Sequence, residues 1–178
     1  MKAQRCWAEI NLAALERNLR LIRDSLPPQV RYVSVVKADA YGHGIHPTAA
    51  RLMQSGVDLF AVANVKEASE IREIATGWPI LILGPLLEEE NEALLEMDLI
   101  PTLSSHTELE RLRALSHKYQ KVIPAHLKID TGMGRYGIWW EDAIELINQI
   151  QQSPEIKLCG ALTHFAEASD LEYTANQR

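Results

Sequence analysis

The chain has 178 residues, 47% of them hydrophobic and 24% charged, so it can fill a core while keeping its surface wet. Its net charge of -6 argues against a nucleic acid or an anionic membrane as a partner. Cys6 and Cys159 are too isolated to form a disulfide framework or a zinc site, and no run approaches the ~18 apolar residues of a membrane span. We therefore expect one cytoplasmic domain that has free thiols and binds no metal.

Hydrophobic runs of strand length alternate with amphipathic helical stretches, which is typical of a parallel sheet with helical crossovers. The chain opens with a helix whose apolar face contains Leu12, Leu15, Leu19 and Ile22. The predicted strands follow at residues 30–36, 59–63, 80–83, 100–103, 123–129 and 156–163. The helices between them have one buried face each, formed by Ile71, Ile74 and Ala75, by Leu109, Leu112 and Leu115, and by Ile144, Ile147 and Ile150.

The first predicted strand leads directly into Lys37 and then into a polar segment that contains Gly42 and Gly44. The strand is rich in β-branched and aromatic residues, as buried parallel strands are, and the glycines permit a sharp exit from it. In (β/α) barrel enzymes the catalytic residues lie at the carboxyl ends of the strands. Lys37 is therefore a candidate catalytic residue, although an isolated lysine at a strand end is more often simply solvated.

Residues 35–44, Val-Val-Lys-Ala-Asp-Ala-Tyr-Gly-His-Gly, resemble the pyridoxal-phosphate-binding signature of alanine racemases. Three further segments are similar to motifs of that family, in the same order: Trp7-Ala8-Glu9-Ile10-Asn11-Leu12, His126-Leu127-Lys128-Ile129-Asp130-Thr131-Gly132-Met133-Gly134-Arg135, and Thr163-His164-Phe165-Ala166. The resemblance covers residues 1–178, which we interpret as a partial N-terminal barrel domain of that family.

Members of the family continue for about as long again, through two more barrel strands and a mainly β domain. An eight-stranded barrel typically needs ~250 residues. The resemblance thus implies an α/β fold: an incomplete TIM-type (β/α)8 barrel that binds pyridoxal 5'-phosphate, with about six of eight strands and without the C-terminal β domain. We expect this sequence to be an amino-terminal fragment.

The resemblance also implies roles for individual residues. Lys37 would form a Schiff base with the cofactor aldehyde and act as the base on one face of the substrate. Tyr41 would bind the cofactor phosphate, and Arg135 would contact both the cofactor phenolic oxygen and the substrate carboxylate. His164 would support an arginine facing the pyridine nitrogen, and Lys128 matches a lysine that is carbamylated in some members. The base on the opposite face would be a tyrosine from the second domain of a partner subunit in a homodimer.

Ordinary structural roles remain open for several of these residues. Taken alone, Tyr41 also fits a core or rim aromatic, and Arg135 fits a surface arginine in an ion pair. We expect His43 and His46 to be loop residues that shape the turn. Parallel strands deliver their carboxyl ends to one face, so Lys37 should nevertheless meet the residues that end the later strands, namely Lys128, Asp130 and His164.

Three functions are compatible with the sequence. The first is part of an alanine racemase that interconverts L- and D-alanine for peptidoglycan synthesis and is inactive alone. The second is a non-catalytic barrel protein that carries pyridoxal phosphate. The third is an inert truncated product, whose open sheet edges would favour self-association.

Overall fold

A computed structural model describes residues 5–176 and shows an α/β fold in which all strand pairs are parallel. The strands are β1 (Val33–Val35), β2 (Leu59–Val62), β3 (Ile80–Ile82), β4 (Leu99–Ile100), β5 (Thr102–Leu103), β6 (Ile123–Asp130), β7 (Ile138–Trp139) and β8 (Ile156–Leu162). One sheet has the order β1-β2-β3-β4, and in the second sheet β6 pairs with β5, β7 and β8.

The predicted strand at residues 100–103 is divided into β4 and β5 by Pro101. Proline has no N–H to donate to a strand ladder. β4 pairs with β3, whereas β5 pairs with β6, so this one segment joins the two sheets. Together β4 and β5 occupy a single barrel position. With β1, β2, β3, β6 and β8 they form six successive strands of a (β/α) barrel, which confirms the predicted fold class. The two-residue strand β7 was not predicted.

The helices lie between the strands, as the alternating pattern indicates. They are α1 (Leu12–Asp24), a left-handed segment α2 (Lys37–Gly42), α3 (Ile45–Gln54), α4 (Val65–Arg72), α5 (Asn91–Glu96), α6 (His106–Tyr119), α7 (Ala143–Gln151) and α8 (Leu171–Ala175), with a 3-10 turn at Glu88–Glu90. Helix α1 begins because the Asn11 side chain accepts a 2.9 Å hydrogen bond from the Ala14 amide.

The predicted buried faces are confirmed in the middle of the helices and wrong near several ends. Leu109, Leu112 and Leu115 of α6 are all buried. In α7 Ile150 is buried as predicted, whereas Ile144 is 65% exposed, and Ala143 and Leu146 complete the buried face. Ile22 and Ile74 are likewise exposed. Which of two adjacent rows of side chains on a helix is buried depends on where the helix contacts the sheet. Hydrophobic periodicity alone does not locate that contact.

Each barrel strand has an outer face toward the helices and an inner face toward the barrel axis. Phe60 and Val62 of β2 and Leu127 of β6 belong to the main hydrophobic core beneath the helices. Lys128, adjacent to Leu127, instead lines a cavity on the inner side. Side chains alternate along a strand, so the same strands build both the core and the cavity wall.

Strand β1 corrects the prediction of a buried parallel strand at residues 30–36. It is only three residues long, and Val33 and Val35 are 39% and 40% exposed while Ser34 is buried. Within residues 5–176, β1 pairs with β2 alone, so it is an edge strand. His46 also differs from the prediction, because it lies in α3 rather than in a loop, with its Nε2 3.1 Å from Glu73 Oε2.

Over the described part of the chain, every helix is too short or too polar to cross a lipid bilayer. Cys6 and Cys159 are free and exposed. Residues 5–176 contain no cluster of three or more His, Cys, Asp or Glu side chains arranged to hold a metal ion.

Candidate active site

Lys37 lies at the carboxyl end of β1, where the chain leaves the sheet. The adjacent Val36 is buried in the main core, and its backbone amide donates a 2.9 Å hydrogen bond to the Ala61 carbonyl of β2. Lys37 itself is partly exposed and faces the inner side of the barrel. The strand thus holds the backbone of this lysine while the side chain reaches into the cavity.

The segment after Lys37 is a left-handed helical turn, where the sequence suggested only a glycine-punctuated loop. Ala38, Asp39, Ala40 and Tyr41 have φ values of 53, 54, 52 and 56°. For residues with a Cβ this conformation costs roughly 1–2 kcal/mol each, so surrounding contacts must offset it. The two glycines that the sequence highlighted complete the exit, Gly42 with φ 81° and Gly44 with φ 86°.

Hydrogen bonds hold this left-handed turn at both ends. The Ala40 amide donates to the Val36 carbonyl at 2.9 Å, and the Gly44 amide donates to the Asp39 carbonyl at 3.0 Å. The Asp39 side chain accepts a 2.7 Å bond from the Ile45 amide at the start of α3. The turn therefore presents Tyr41 in a fixed direction. Its side chain is 60% exposed on the cavity rim, which agrees with the rim position considered for it and excludes the core.

The loop after β6 wraps around the carboxylate of Asp130. Asp130 Oδ1 accepts hydrogen bonds of 3.0 and 3.1 Å from the Gly132 and Gly134 amides, and Oδ2 accepts a 3.0 Å bond from the Arg135 amide. These bonds, that of Gly132 foremost, hold the pKa of Asp130 below its usual value. Gly132 and Gly134 both have positive φ, 126° and 72°, which explains the glycines in the motif.

The same loop ends at Gly137, which lies just before β7 and packs against β6. A Cβ at this position would lie 2.8 Å from the Asp130 backbone nitrogen and 3.2 Å from Lys128 Cγ, so only glycine fits. Next to it, the Tyr136 hydroxyl lies 2.8 Å from the Thr102 carbonyl oxygen and 3.1 Å from Glu108 Oε1. Burial raises the pKa of Tyr136, and the Glu108 carboxylate adds to this effect.

Strand β8 brings the last predicted residue to the site. The register between β6 and β8 shifts by one residue between Ala125 and His126, and Lys128 then pairs with Leu162. His164, two residues after Leu162 along the chain, faces the cavity. The Thr163 and Thr131 hydroxyl oxygens are 2.8 Å apart, which ties the loop after β8 to the loop after β6.

All five predicted site residues line one cavity of about 470 Å³: Lys37, Tyr41, Lys128, Arg135 and His164. The convergence at the carboxyl ends of the strands that the sequence suggested is therefore present in the fold. The cavity is completed by Val35, Ala63, Leu83, Gly84, Tyr136, Leu162 and Thr163. Asp130 lies beside this cavity, against Lys128 and Arg135.

The cavity has a positive electrostatic character. Burial, and then the charge of Arg135, lower the pKa of Lys128, while Asp130 opposes the shift. Burial also lowers the pKa of His164, with further contributions from Arg135, Lys128 and Lys37. An amine, a phenol, a guanidinium and an imidazole around one positive cavity can together hold a molecule with phosphate and carboxylate groups.

Sequence reasoning missed two side chains that hold the site together, Glu67 and Tyr136. Glu67 lies in the first turn of α4, three residues after the helix cap Asn64, a spacing that could have identified it as a capping residue. Tyr136 follows Arg135 directly, but no pattern in the sequence indicates that its hydroxyl contacts Thr102 and Glu108.

Comparison with known proteins agrees with this geometry. Residues 10–178 match the family described as "Alanine racemase, N-terminal domain". The chain is 40% identical over 173 residues to an alanine racemase of Halothermothrix orenii, covering 96% of this chain and 46% of that protein. It is 41% identical over 169 residues to an alanine racemase of Carboxydothermus hydrogenoformans, with coverage of 92% and 44%. The chain thus spans about half the length of these relatives.

Solved structures match in the same region. An alanine racemase of Clostridium difficile 630 in complex with cycloserine superposes with a TM-score of 0.90 at 35% identity, over 96% of this chain and 48% of that one. An alanine racemase from Bacillus anthracis with bound L-Ala-P gives a TM-score of 0.83 at 30% identity, over 93% of this chain and 44% of that one. Since the family match extends over nearly the whole chain and the fold and motifs agree with it, the chain belongs to the family of alanine racemase N-terminal domains.

Proposed function

We propose that this chain is the N-terminal barrel part of a pyridoxal-phosphate-dependent racemase that interconverts L- and D-alanine. The observation that carries the proposal is the convergence of Lys37, Tyr41, Lys128, Arg135 and His164 on one cavity, at the carboxyl ends of parallel strands. The alanine racemase names of its relatives support alanine as the substrate.

The residues of the cavity fit pyridoxal 5'-phosphate by their chemistry. Lys37 offers an amine to the aldehyde of the cofactor, and the phenol of Tyr41 on the rim is a hydrogen-bond donor for a phosphate oxygen. Arg135 is a suitable partner for the cofactor phenolic oxygen. His164 lines the same cavity as Lys37, and it would support an arginine facing the ring nitrogen of the cofactor. A positive cavity of about 470 Å³ suits a ligand with this charge.

The chemistry that pyridoxal phosphate supplies when bound is electron withdrawal from the α-carbon of the amino acid. The protein must then hold the amino acid and move one proton. Arg135 would pair with the substrate carboxylate, and the Lys37 amine would accept or donate the α-proton on one face. The base for the opposite face would be a tyrosine of a partner subunit, so we propose a homodimer and expect no turnover by this chain alone.

Lys128 is proposed to be carbamylated. Its side chain is only 8% exposed, and burial together with Arg135 lowers its pKa, which enlarges the fraction of neutral amine that can react with carbon dioxide. The reaction joins the amine nitrogen to the carbon of carbon dioxide and releases a proton. The negative carbamate would then orient the Arg135 guanidinium.

We further propose a cytoplasmic location and a role in supplying D-alanine for peptidoglycan. The two free cysteines are typical of a reducing compartment. A carrier of the cofactor without catalysis would use the same lysine. The two functions therefore differ in turnover and not in cofactor attachment.

The test is to trap the cofactor on the chain and to map its position. The 178-residue chain is incubated with pyridoxal phosphate, reduced with borohydride and digested, and we expect the label on Lys37. Lys37→Ala should abolish the label and also the yellow colour that the imine gives before reduction, whereas Lys66→Ala, on the exposed side of α4, should leave both intact. Labelling elsewhere, or none, contradicts the proposal.

Turnover separates a racemase from a carrier. The 178-residue chain is fused to the C-terminal portion of one of its alanine racemase relatives, and the interconversion of L- and D-alanine by the fusion protein is measured. Activity that is lost in Lys37→Ala supports the racemase. Cofactor attachment to Lys37 without interconversion supports the carrier.

A further inference from the structure

Glu67 bridges two strand ends beside the candidate catalytic lysine. Its Oε1 accepts a 2.8 Å hydrogen bond from the Ala38 amide, and its Oε2 accepts a 2.7 Å bond from the Ala63 amide. Glu67 is itself fixed at the start of α4, where the Asn64 side chain accepts a 3.0 Å bond from its amide. Both oxygens of this one carboxylate are therefore used to join the β1 and β2 exits.

The bridge lies where the regular sheet pairing stops. The register between β1 and β2 ends at Val35 and Ala61, and beyond it the Val36 amide makes one more bond to the Ala61 carbonyl. Beyond that bond, the Ala38 amide of the first exit and the Ala63 amide of the second both bond to the Glu67 carboxylate. One carboxylate can make both bonds because each of its two oxygens accepts a hydrogen bond from one amide.

Ala38 is the residue next to Lys37 and the first residue of the left-handed turn. Fixing the Ala38 amide fixes the peptide plane between Lys37 and Ala38. Together with the Val36 amide, which is bonded to the Ala61 carbonyl, this plane sets the direction in which the Lys37 side chain leaves the backbone. Ala63, at the other end of the bridge, also lines the cavity. Glu67 thus acts on the lysine through the backbone and not through its side chain.

We propose that Glu67 is a positioning residue for Lys37: by holding the Ala38 and Ala63 amides it aims the amine into the cavity. This inference rests on the proposed function, because it assigns a purpose to the direction of Lys37. Glu67 is not among the residues that line the cavity, so it acts through the backbone and not by contact with a ligand.

The substitution Glu67→Gln tests the bridge with little change in shape. The glutamine amide has one oxygen and one NH2 group, so it can accept from only one of the two backbone amides and presents a donor to the other. We expect hydrogen exchange of the Ala38 or Ala63 amide to become at least about tenfold faster. We expect the rate of borohydride trapping of pyridoxal phosphate on Lys37 to fall about 10- to 100-fold. The matched control is Glu70→Gln on the same helix.

Two outcomes overturn the proposal. One is trapping of Lys37 at the wild-type rate in folded Glu67→Gln, even with faster amide exchange, because Glu67 would then support the fold alone. The other is rapid exchange of the Ala38 and Ala63 amides in the wild-type chain, a measurement that stays decisive if the variant does not fold. Glu67→Asp gives a second variant, which keeps the charge but is too short for the bridge, and we expect it to behave like Glu67→Gln.

Failure of the proposed function has a different signature. If wild-type Lys37 is not labelled at all, the cofactor assignment fails, whatever Glu67 does. If wild-type Lys37 is labelled and Glu67→Gln is labelled equally fast, the positioning role fails and the cofactor assignment stands.

Discussion

The Arg135 backbone amide donates a 3.0 Å hydrogen bond to Asp130 Oδ2, so the residue that ends β6 holds the loop that carries the arginine. The other Asp130 oxygen accepts from Gly132 and Gly134 in the same loop. A single buried carboxylate therefore sets the path of the loop after β6. The position of Arg135 in the cavity depends on that ionised group.

Asp130→Asn should loosen this loop and remove a source of pH dependence. The folded pKa of Asp130 lies below the unfolded value of about 3.9, so its stabilising contribution is complete above that pH and is lost as the pH falls through the folded pKa. At neutral pH we expect the free energy of unfolding to drop by roughly 1–3 kcal/mol in Asp130→Asn. The difference from the wild type should shrink as the pH is lowered below about 4.

Urea unfolding between about pH 3 and 7 measures this difference. Asp24→Asn, at the exposed end of α1, is the control and should follow the wild type at every pH. A gap between Asp130→Asn and the wild type that stays constant down to the lowest pH would show that the ionised carboxylate is not what holds the loop.

Gly137→Ala should displace the loop that carries Arg135. The added methyl group would meet the Asp130 backbone nitrogen at 2.8 Å, and φ at position 137 is 147°, which residues with a Cβ rarely adopt. We expect a loss of roughly 1–3 kcal/mol in the free energy of unfolding. Gly77→Ala, where no atom lies within 4 Å of the added methyl, should be close to neutral. Thermal unfolding of both variants gives the comparison, and equal losses would contradict the close packing at Gly137.

In the chain with an unmodified Lys128, Arg135→Gln should raise the pKa of both His164 and Lys128. Burial is the main cause of the low pKa of each, and the Arg135 charge is the next. Removing that charge should move both values toward their ordinary range without restoring them, because the burial remains. NMR titration of the His164 ring protons gives the measurement, with Arg17→Gln on the exposed face of α1 as control. An unchanged His164 titration would show that the guanidinium does not act on this cavity.

The barrel strands were largely predictable, and the errors have local causes. Hydrophobic runs located residues 59–63, 80–83 and 123–129 within a residue or two, because these strands have helices on one face and the barrel interior on the other. The run at residues 30–36 was overestimated, since β1 is an edge strand with Val33 and Val35 partly exposed. Ile144 was misplaced because Ala143, a small residue that contributes little to the periodic pattern, is the one that faces the sheet.

The amino-acid sequence by itself determined the order of strands and helices and, through its motifs, indicated five of the residues that line the cavity. Both depend on local sequence: the element order follows from hydrophobic spacing, and the cavity residues follow from motifs such as the run from Lys37 to Gly44. The left-handed turn after Lys37, the bridge from Glu67 to Ala38 and Ala63, and the contact of Tyr136 with Thr102 were decided only by the tertiary structure. The contacts of Glu67 with Ala38 and of Tyr136 with Thr102 join residues 29 and 34 positions apart, and the turn has a backbone conformation that alanine rarely adopts. Such features arise only where packed strands bring distant polar groups together.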